Sequence, residues 1–419
     1  MNVKALVAFA IVVLAVCFSA FRVGIVVASE TIRIRTDGSI SPLGAPLSTV
    51  DNVTYTLSDD VGSIFLERDN VVLDGVGHSV QGRGIGRGGT GVYLNGRSNV
   101  EIRNLKIEAF DVGLFLNGSC DVLVTKNLIV GNEYGIQLFC SSENMISEND
   151  IFGNSFGIGF ADQSENNTVF GNAIWSNYDG FWLRHSSNNT IFANDIVRND
   201  MYSLAFYYSS DNSVYNNNLT SNQQIYCDGS ANAWDDGYPS GGNYWSGFVG
   251  ADSNQDGIID CAYVLDANNT DNYPLAGAFL FYEYSNSTPS LLVTLVSNST
   301  VSEFTISVSP DNLEQSMIRF NVTAEGVSGF CRVCIPAALM NGTYHVIVDG
   351  AESYCVNYSI GDSTVERWIY FAYRGSSYQI TIVPEFPYLI ILPLFTAMTL
   401  MAVRLHQRKQ LARASIAVS

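Results

Sequence analysis

Asn149–Ile158 reads NDIFGNSFGI. Two asparagines five positions apart enclose an isoleucine, and a glycine and a second isoleucine follow. The pattern returns along the chain. NLIVGNEYGI starts at Asn127, NAIWSNYDGF at Asn172, NDIVRNDMYSL at Asn194 and NNLTSN at Asn217. The leading asparagines at 127, 149, 172, 194 and 217 are spaced by alternating steps of 22 and 23. A second column keeps the same step at 132, 154, 177, 199 and 222. Ile107, Ile129, Ile151, Ile174, Ile196 and Leu219 form a third, and Gly91, Gly113, Gly135, Gly157, Gly180 and Ser203 a fourth. Registers that share one period of this size mark a repeat architecture.

Within a unit the apolar residues alternate, as in Gly-Val-Tyr-Leu at 91–94 and Gly-Phe-Trp-Leu at 180–183. That is strand periodicity, in runs too short for helices. The expected fold is all-β: a right-handed parallel β-helix of 22–23-residue coils, then a small β-sandwich and a C-terminal transmembrane helix. Stacked coils place equivalent residues above one another, roughly 4.8 Å apart. An inward asparagine at a turn can then bond its own turn and the asparagine of the next coil. The alternative is a column of solvated turn formers.

The termini suggest a location. Residues 1–28 carry Lys4, run apolar from Ala5 to Ala20 and end in Val26-Val27-Ala28, which reads as a secretory signal peptide or an uncleaved anchor. Tyr388–Val403 is uncharged, and Arg404, Arg408, Lys409 and Arg413 follow. Residues 384–405 are expected to form a membrane-spanning segment and 406–419 a basic cytoplasmic tail, leaving the bulk outside. Pro384-Glu385-Phe386-Pro387 resembles the PEF-type C-terminal anchor of archaeal surface proteins. The chain has 21 basic and 40 acidic residues, and without the terminal cations the exterior part carries 15 against 40. This argues against nucleic acid as a partner and suits a cell surface and cations.

Seven cysteines follow the signal, and Cys227 and Cys261 bracket one segment as a candidate disulfide. Sequons mark Asn52, Asn117, Asn166, Asn188, Asn218, Asn268, Asn286, Asn298, Asn321, Asn341 and Asn357 as glycan acceptors in an exported chain. Those in repeat turns risk being sterically closed.

Residues 29–62 read as an N-terminal cap, 63–224 as the β-helix, 225–276 as a closing segment and 286–383 as the sandwich. The Gly-rich run Gly82–Gly91, GRGIGRGGTG, precedes no helical pattern and reads as a flexible turn rather than a phosphate loop. The closing segment contains NAWDDGYPSGGNYWSGF (Asn232–Phe248) and DGIIDCAYVLDANNTDNYPL (Asp256–Leu275). These runs resemble the segment that ends NosD-type β-helices, with its Trp-Asp, Gly-Gly-Asn-Tyr-Trp-Ser and Asp-x-Tyr-Pro-Leu elements. A β-helix end exposes its core and strand edges, and Trp234, Tyr244 and Trp245 are large enough to cover one. Asp252, Asn254, Asp256, Ile258 and Asp260 have the oxygen spacing of a Ca²⁺ loop, although Tyr263 stands where an EF-hand has glutamate.

The resemblance implies carbohydrate-related chemistry. Asp162, Arg184, His185, Tyr207 and Tyr208 recur at one turn of successive coils, and Trp182 should point outward beside them. They form a candidate binding surface for a polysaccharide or surface glycan. Were the protein an enzyme (a lyase, epimerase or hydrolase), Asp162, Arg184, His185 and Tyr208 would be the catalytic candidates. A decorated, non-catalytic turn is the favoured reading, and no enzymatic role is assigned. The family is named for proteins of copper delivery. Copper asks for clustered His, Met or Cys, whereas His78, His185 and His345 are far apart in sequence. The expected role is therefore a membrane-anchored extracellular binding or scaffold protein.

Overall fold

The computed structural model describes residues 31–220, 224–287, 289–309, 316–324, 326–340, 342–353, 355–358, 365–375 and 377–385. Residues 1–28, expected to be a signal peptide, the apolar span with its basic tail, Asn222 and Asn341 lie outside these. Among the described residues there is no helix, so none is long and apolar enough to cross a membrane.

The chain forms two compact units. The first holds the repeats, together with Trp245–Gly247 and Tyr263–Asn272. The repeat strands stack into three sheets, parallel except for short antiparallel edges near the N-terminus, and Tyr263–Val264 pairs antiparallel with Thr270–Asp271. The first sheet contains Ile64–Leu66, Thr90–Asn95, Val112–Asn117, Tyr134–Phe139, Phe156–Ala161, Asp179–Arg184, Tyr202–Tyr207 and Ile225–Cys227. The second runs from Ser79–Gln81 through Asp150–Phe152 to Asn218–Thr220, and the third from Thr54–Leu57 to Ser213–Tyr215. This is a parallel β-helix. Its register matches the sequence period: Ile107 pairs with Ile129, Ile129 with Ile151, Ile151 with Ile174, Ile174 with Ile196, and Ile196 with Leu219. All six side chains are fully buried. Burial of each contributes about 1.5–3 kcal/mol.

The asparagines are inside. The Asn127 backbone N–H donates to Asn149 Oδ1 at 3.0 Å, and its Nδ2 lies 3.0 Å from that oxygen and from the carbonyls of Thr125 and Ile102. Asn149 repeats this toward Asn172, Asn172 toward Asn194, and Asn194 toward Asn217. The second column, Asn132–Asn154–Asn177–Asn199, is bonded in the same way. One coil earlier, buried Leu105 and Phe110 occupy the two positions, and only their backbone N–H groups join. Two further ladders escaped the sequence reading. One is Asn144–Asn167–Asn189–Asn212–Asn232. The other is Ser119–Ser141–Ser164–Ser186–Ser209–Ser230, in which each N–H donates to the next hydroxyl.

Left-handed residues precede the ladder positions. Lys126, Glu148, Ser176, Ala193, Arg198, Glu143, Asn188, His185 and Tyr208 all have φ between 50 and 60°. For a non-glycine residue this costs roughly 1–2 kcal/mol, which the ladder hydrogen bonds offset. The bend throws the left-handed side chain outward while the next residue turns in. The glycine column has a different cause. A Cβ on Gly113 would sit 2.6 Å from the Gly135 carbonyl oxygen and 3.0 Å from Asn132 Nδ2.

At the C-terminal end of the coils Trp234 packs edge-on to Phe206, with centroids 5.9 Å apart, and Trp245 stacks on Tyr263 at 4.4 Å. Both indoles are 1% exposed. Trp234 Nε1 donates to Asn269 Oδ1, which also takes the Asn232 N–H and so terminates the third asparagine ladder. Trp245 Nε1 donates to Asp271. Tyr244 does not share this role: it is half-buried and falls in the second unit.

The second unit comprises Gly237–Tyr244, Phe248–Ala262 and the chain from Tyr273 onward. Two five-stranded antiparallel sheets share one core that includes Val293, Leu295, Phe320, Val333, Phe371 and Ile382. Its strands include Ala278–Tyr284, which begins before the expected 286–383 sandwich, Leu291–Ser297, Ser328–Pro336 and Ser377–Pro384.

Asn172→Ala removes the acceptor of two Asn149 donors and the amide that reaches the carbonyls of Ile146 and Phe170, of which the latter keeps the Glu148 N–H. At about 1–3 kcal/mol for each orphaned group, the loss should equal or exceed the ~2–5 kcal/mol expected for Ile174→Ala. Equilibrium urea unfolding compares the two. An Asn172→Ala loss under 1 kcal/mol would show that the ladder is incidental.

Candidate functional site

Alternation along the first sheet turns Ile136, Leu138, Ile158, Phe160, Phe181, Leu183, Leu204 and Phe206 inward. It leaves two outward columns, and a third stands just before the inward glycine position, where the alternation breaks. Tyr134, Phe156, Asp179 and Tyr202 are in register; so are Gln137, Gly159, Trp182, Ala205 and Tyr226; and Ala161, Arg184 and Tyr207. Trp182 lies between the two smallest residues of its column. A Cβ on Gly159 would be 3.5 Å from the Tyr134 ring and 3.6 Å from the Trp182 ring, so both rings lean over the glycine.

The result is a ridge of half-buried rings crossing five coils. Centroid separations are 4.7 Å for Tyr134–Phe156, 5.8 Å for Phe156–Trp182, 6.4 Å for Trp182–Tyr207 and 4.9 Å for Tyr207–Tyr226. Tyr202 joins Tyr226 at 5.4 Å. Aromatic stacks also occur on the other sheets, as Phe152–Trp175 and Phe170–Phe192–Tyr215. A stack alone is therefore a general way of covering an outer sheet face. The first sheet differs in the polar groups at its margin.

Those groups include the residues anticipated from sequence. Arg184 and Tyr207 are register partners. His185 and Tyr208 stack at 5.1 Å with planes 9° apart, and Tyr208 is 72% exposed. Both precede serines of the buried ladder, which fixes their turn, and the Tyr208 N–H is held by Asp228 at 2.8 Å. Asp162 occupies the same turn, its N–H donating to the Arg184 carbonyl. Among the described residues no side-chain bond or ion pair joins Asp162 to Arg184 or His185. The turn brings the residues together without assembling an acid–base pair.

Asp179 was not anticipated. It is 4% exposed, between Phe156 and Tyr202 in the ridge, with Oδ1 accepting the Tyr202 N–H at 3.1 Å. Burial holds its carboxyl above the usual range, against the lowering effect of that hydrogen bond. The sequence signal was present: an acid stands where its register neighbours are aromatic.

The other candidates fall elsewhere. Asp252 accepts the N–H groups of Asp256 and Gly257, Asp256 that of Ile258, and Asp260 that of Ser253. Burial raises the Asp252 carboxyl, those N–H groups oppose the shift, and the charges of Asp256 and Asp260 add to it. Asn254 Nδ2 donates to Asp256. Among the described residues no group of three or more His, Cys, Asp or Glu is placed to hold a metal ion. The proposed Cys227–Cys261 disulfide is absent, and both thiols are free. Cys227 falls in the inward column below Phe206, where burial pushes its thiol to about 12. Cys261 is exposed and belongs to the second unit.

Of the sequons, Asn52, Asn166, Asn188, Asn268, Asn286 and Asn298 are exposed, and Asn117 and Asn321 are half-buried. Asn357 lies on the strand Cys355–Tyr358. Asn218 is a correction. It is 6% exposed and its amide donates to Asp195 at 2.6 Å, so a glycan cannot be attached there without breaking local structure.

The raised carboxyl of Asp179 predicts a pH effect with a definite sign. The folded state binds this proton more tightly than the unfolded chain. Its contribution to stability is complete below the unfolded carboxyl range and is lost as pH rises through the folded-state value. Asp179→Asn keeps an acceptor for the Tyr202 N–H, so it should raise the melting temperature at neutral pH and leave it unchanged near pH 3. A lower melting temperature at pH 7 would contradict this.

The sequence model of the family described as Periplasmic copper-binding protein (NosD) matches residues 50–250. No curated protein matches the chain. Similar solved structures include the Dettilon tailspike protein (12% identity, TM-score 0.35, covering 79% of this chain and 78% of that one). A mutant of the periplasmic alginate epimerase AlgG gives 15% identity and a TM-score of 0.27, covering 43% of this chain and 61% of that one. The enzymatically active domain of bacteriophage CBA120 tailspike protein 2 gives 14% identity and 0.30, with 78% and 71% covered. Likeness at this level carries no functional weight. The part of the chain that forms the parallel β-helix is thus the part that is similar to the NosD family.

Proposed function

We propose that this chain is an extracytoplasmic binding protein that holds a glycan along the outer face of the first sheet. The observation that carries the reading is the continuous Tyr134–Phe156–Trp182–Tyr207–Tyr226 ridge, edged by Arg184, His185 and Tyr208. Half-exposed rings offer flat apolar faces to the C–H faces of sugars, and marginal donors reach their hydroxyls. The family description, the apolar N-terminal run and the 388–403 span support placement outside the cytoplasm with a C-terminal anchor.

Copper does not fit the side chains described. His78 lies beside Asp60, His185 stacks on Tyr208, and His345 is flanked by Glu352 and Glu385. Among the described residues no group of three or more His, Cys, Asp or Glu is placed to hold a metal, and no step is assigned to copper. The Asp252–Asp260 loop is the place to look for calcium, because the charges of Asp256 and Asp260 both act on Asp252 and the oxygen spacing is that of a Ca²⁺ loop. Calcium is expected to raise the melting temperature and EGTA to reverse the rise; no response in either direction would remove the assignment.

A second reading makes the ridge a catalytic groove with Asp179 as a proton donor, favoured by its burial among the rings. One panel of neutral and uronate oligosaccharides, titrated and then assayed for turnover, separates the two. Binding without turnover, weakened about tenfold or more in Trp182→Ala and Tyr207→Ala, is the expected result. Turnover that disappears in Asp179→Asn would replace the binding reading with the catalytic one. Unchanged affinity in both aromatic variants would overturn it.

A further inference from the structure

The loop 82–89 is an insertion in the coil. Val80 pairs with Ile107, a step of 27 residues where later coils step by 22 or 23. Gly84, Gly86, Gly88 and Gly89 have φ of 107, 78, 66 and 142°, so this path requires glycine. The loop is pinned to the next coil: Gly82 and Gly84 donate to the carbonyls of Glu108 and Ala109, and Gly86 to Asp111 Oδ1 at 2.7 Å. Arg87, Gly88 and Gly89 make no backbone N–H bond among the described residues.

A cavity of about 210 Å³ opens at this loop, with Arg83, Arg87, Gly88, Gly89, Gln81 and Ser63 in its wall. Neither arginine has an ion-pair partner among the described residues. In the same unit Arg33, Arg97, Arg103, Lys106 and Lys126 all have one. Among the described residues Arg35, Arg68, Arg184 and Arg198 also have none; Arg83 and Arg87 are set apart by lining one cavity together with Gly88 and Gly89. Asp111 is the acid nearest the loop, and one of its oxygens is already bonded to Gly86. The overall negative charge does not forbid an anion here. At physiological salt, charges beyond ~8 Å are largely screened, so the two guanidinium groups govern the local field.

We propose that the Arg83/Arg87 cavity binds an oxyanion carried by a sugar, a uronate carboxylate or a sulfate ester. Guanidinium forks match the paired oxygens of such groups, and successive glycine N–H groups form the kind of concavity that accepts them. This goes further than the ridge, which is indifferent to charge. It rests on the glycan reading only for the sugar that bears the anion.

The test titrates the full chain with sodium sulfate, with an oligoglucuronate and with the corresponding neutral oligoglucoside. Sulfate and oligoglucuronate should bind, and each should weaken about tenfold or more in Arg83→Ala and in Arg87→Ala. Trp182→Ala should leave the sulfate titration unchanged, so failure of the ridge is read separately. Equal binding by the Arg83→Ala/Arg87→Ala protein, or no binding of either anion by the parent, would overturn the site. Sulfate binding without oligoglucuronate binding would overturn the uronate assignment and leave the sulfate ester. Circular dichroism of the alanine variants confirms that the coils are intact.

Discussion

The amide ladder is the constraint on which this architecture depends. Each coil turns several times, and every turn leaves backbone N–H and C=O groups that the sheet ladders do not reach. In water those groups would be solvated; in the core each would cost about 1–3 kcal/mol. Asn127, Asn149, Asn172 and Asn194 answer this with one side chain per coil, which accepts from the coil before and donates to the coil after. A one-residue slip would break several such bonds at once. Core register and surface register are thereby the same quantity.

This coupling makes a surface possible. Trp182, Arg184, His185, Tyr207 and Tyr208 are dispersed over 27 positions of the chain, yet the stacking places them on one margin of one sheet. The left-handed residue before each buried serine forces the His185 and Tyr208 side chains out. What is inside thus determines where the outside groups stand. The glycine and alanine flanking Trp182 leave room for its ring to span neighbouring strands.

Much of this was legible in the sequence because a coil repeats its own chemistry. The isoleucine column, two asparagine columns and the turn bearing His185 and Tyr208 could be placed by counting. The third asparagine ladder was equally periodic, at 144, 167, 189 and 212, but was masked by neighbouring asparagines and sequons. Asp179 was missed because its carboxylate is significant only through the rings on adjacent coils, which register supplies and local sequence does not. The Gly82–Gly91 run read as a plain turn because the meeting of Arg83 and Arg87 at one cavity is a property of three dimensions. Cys227 and Cys261 failed as a pair because bracketing one segment in sequence does not reveal that Cys227 enters a column of the coils while Cys261 belongs to the second unit.

The most direct test is residue-resolved amide hydrogen exchange at the ladder turns. Asn127, Asn149, Asn172 and Asn194 sit outside the strands, yet each N–H donates to a buried amide oxygen at 2.9–3.0 Å. Their exchange should be as slow as that of Ile129, Ile151, Ile174 and Ile196 in the adjoining strands. Fast exchange at these four amides, alongside protected strands, would contradict the claim that the amide ladder holds the coils in register.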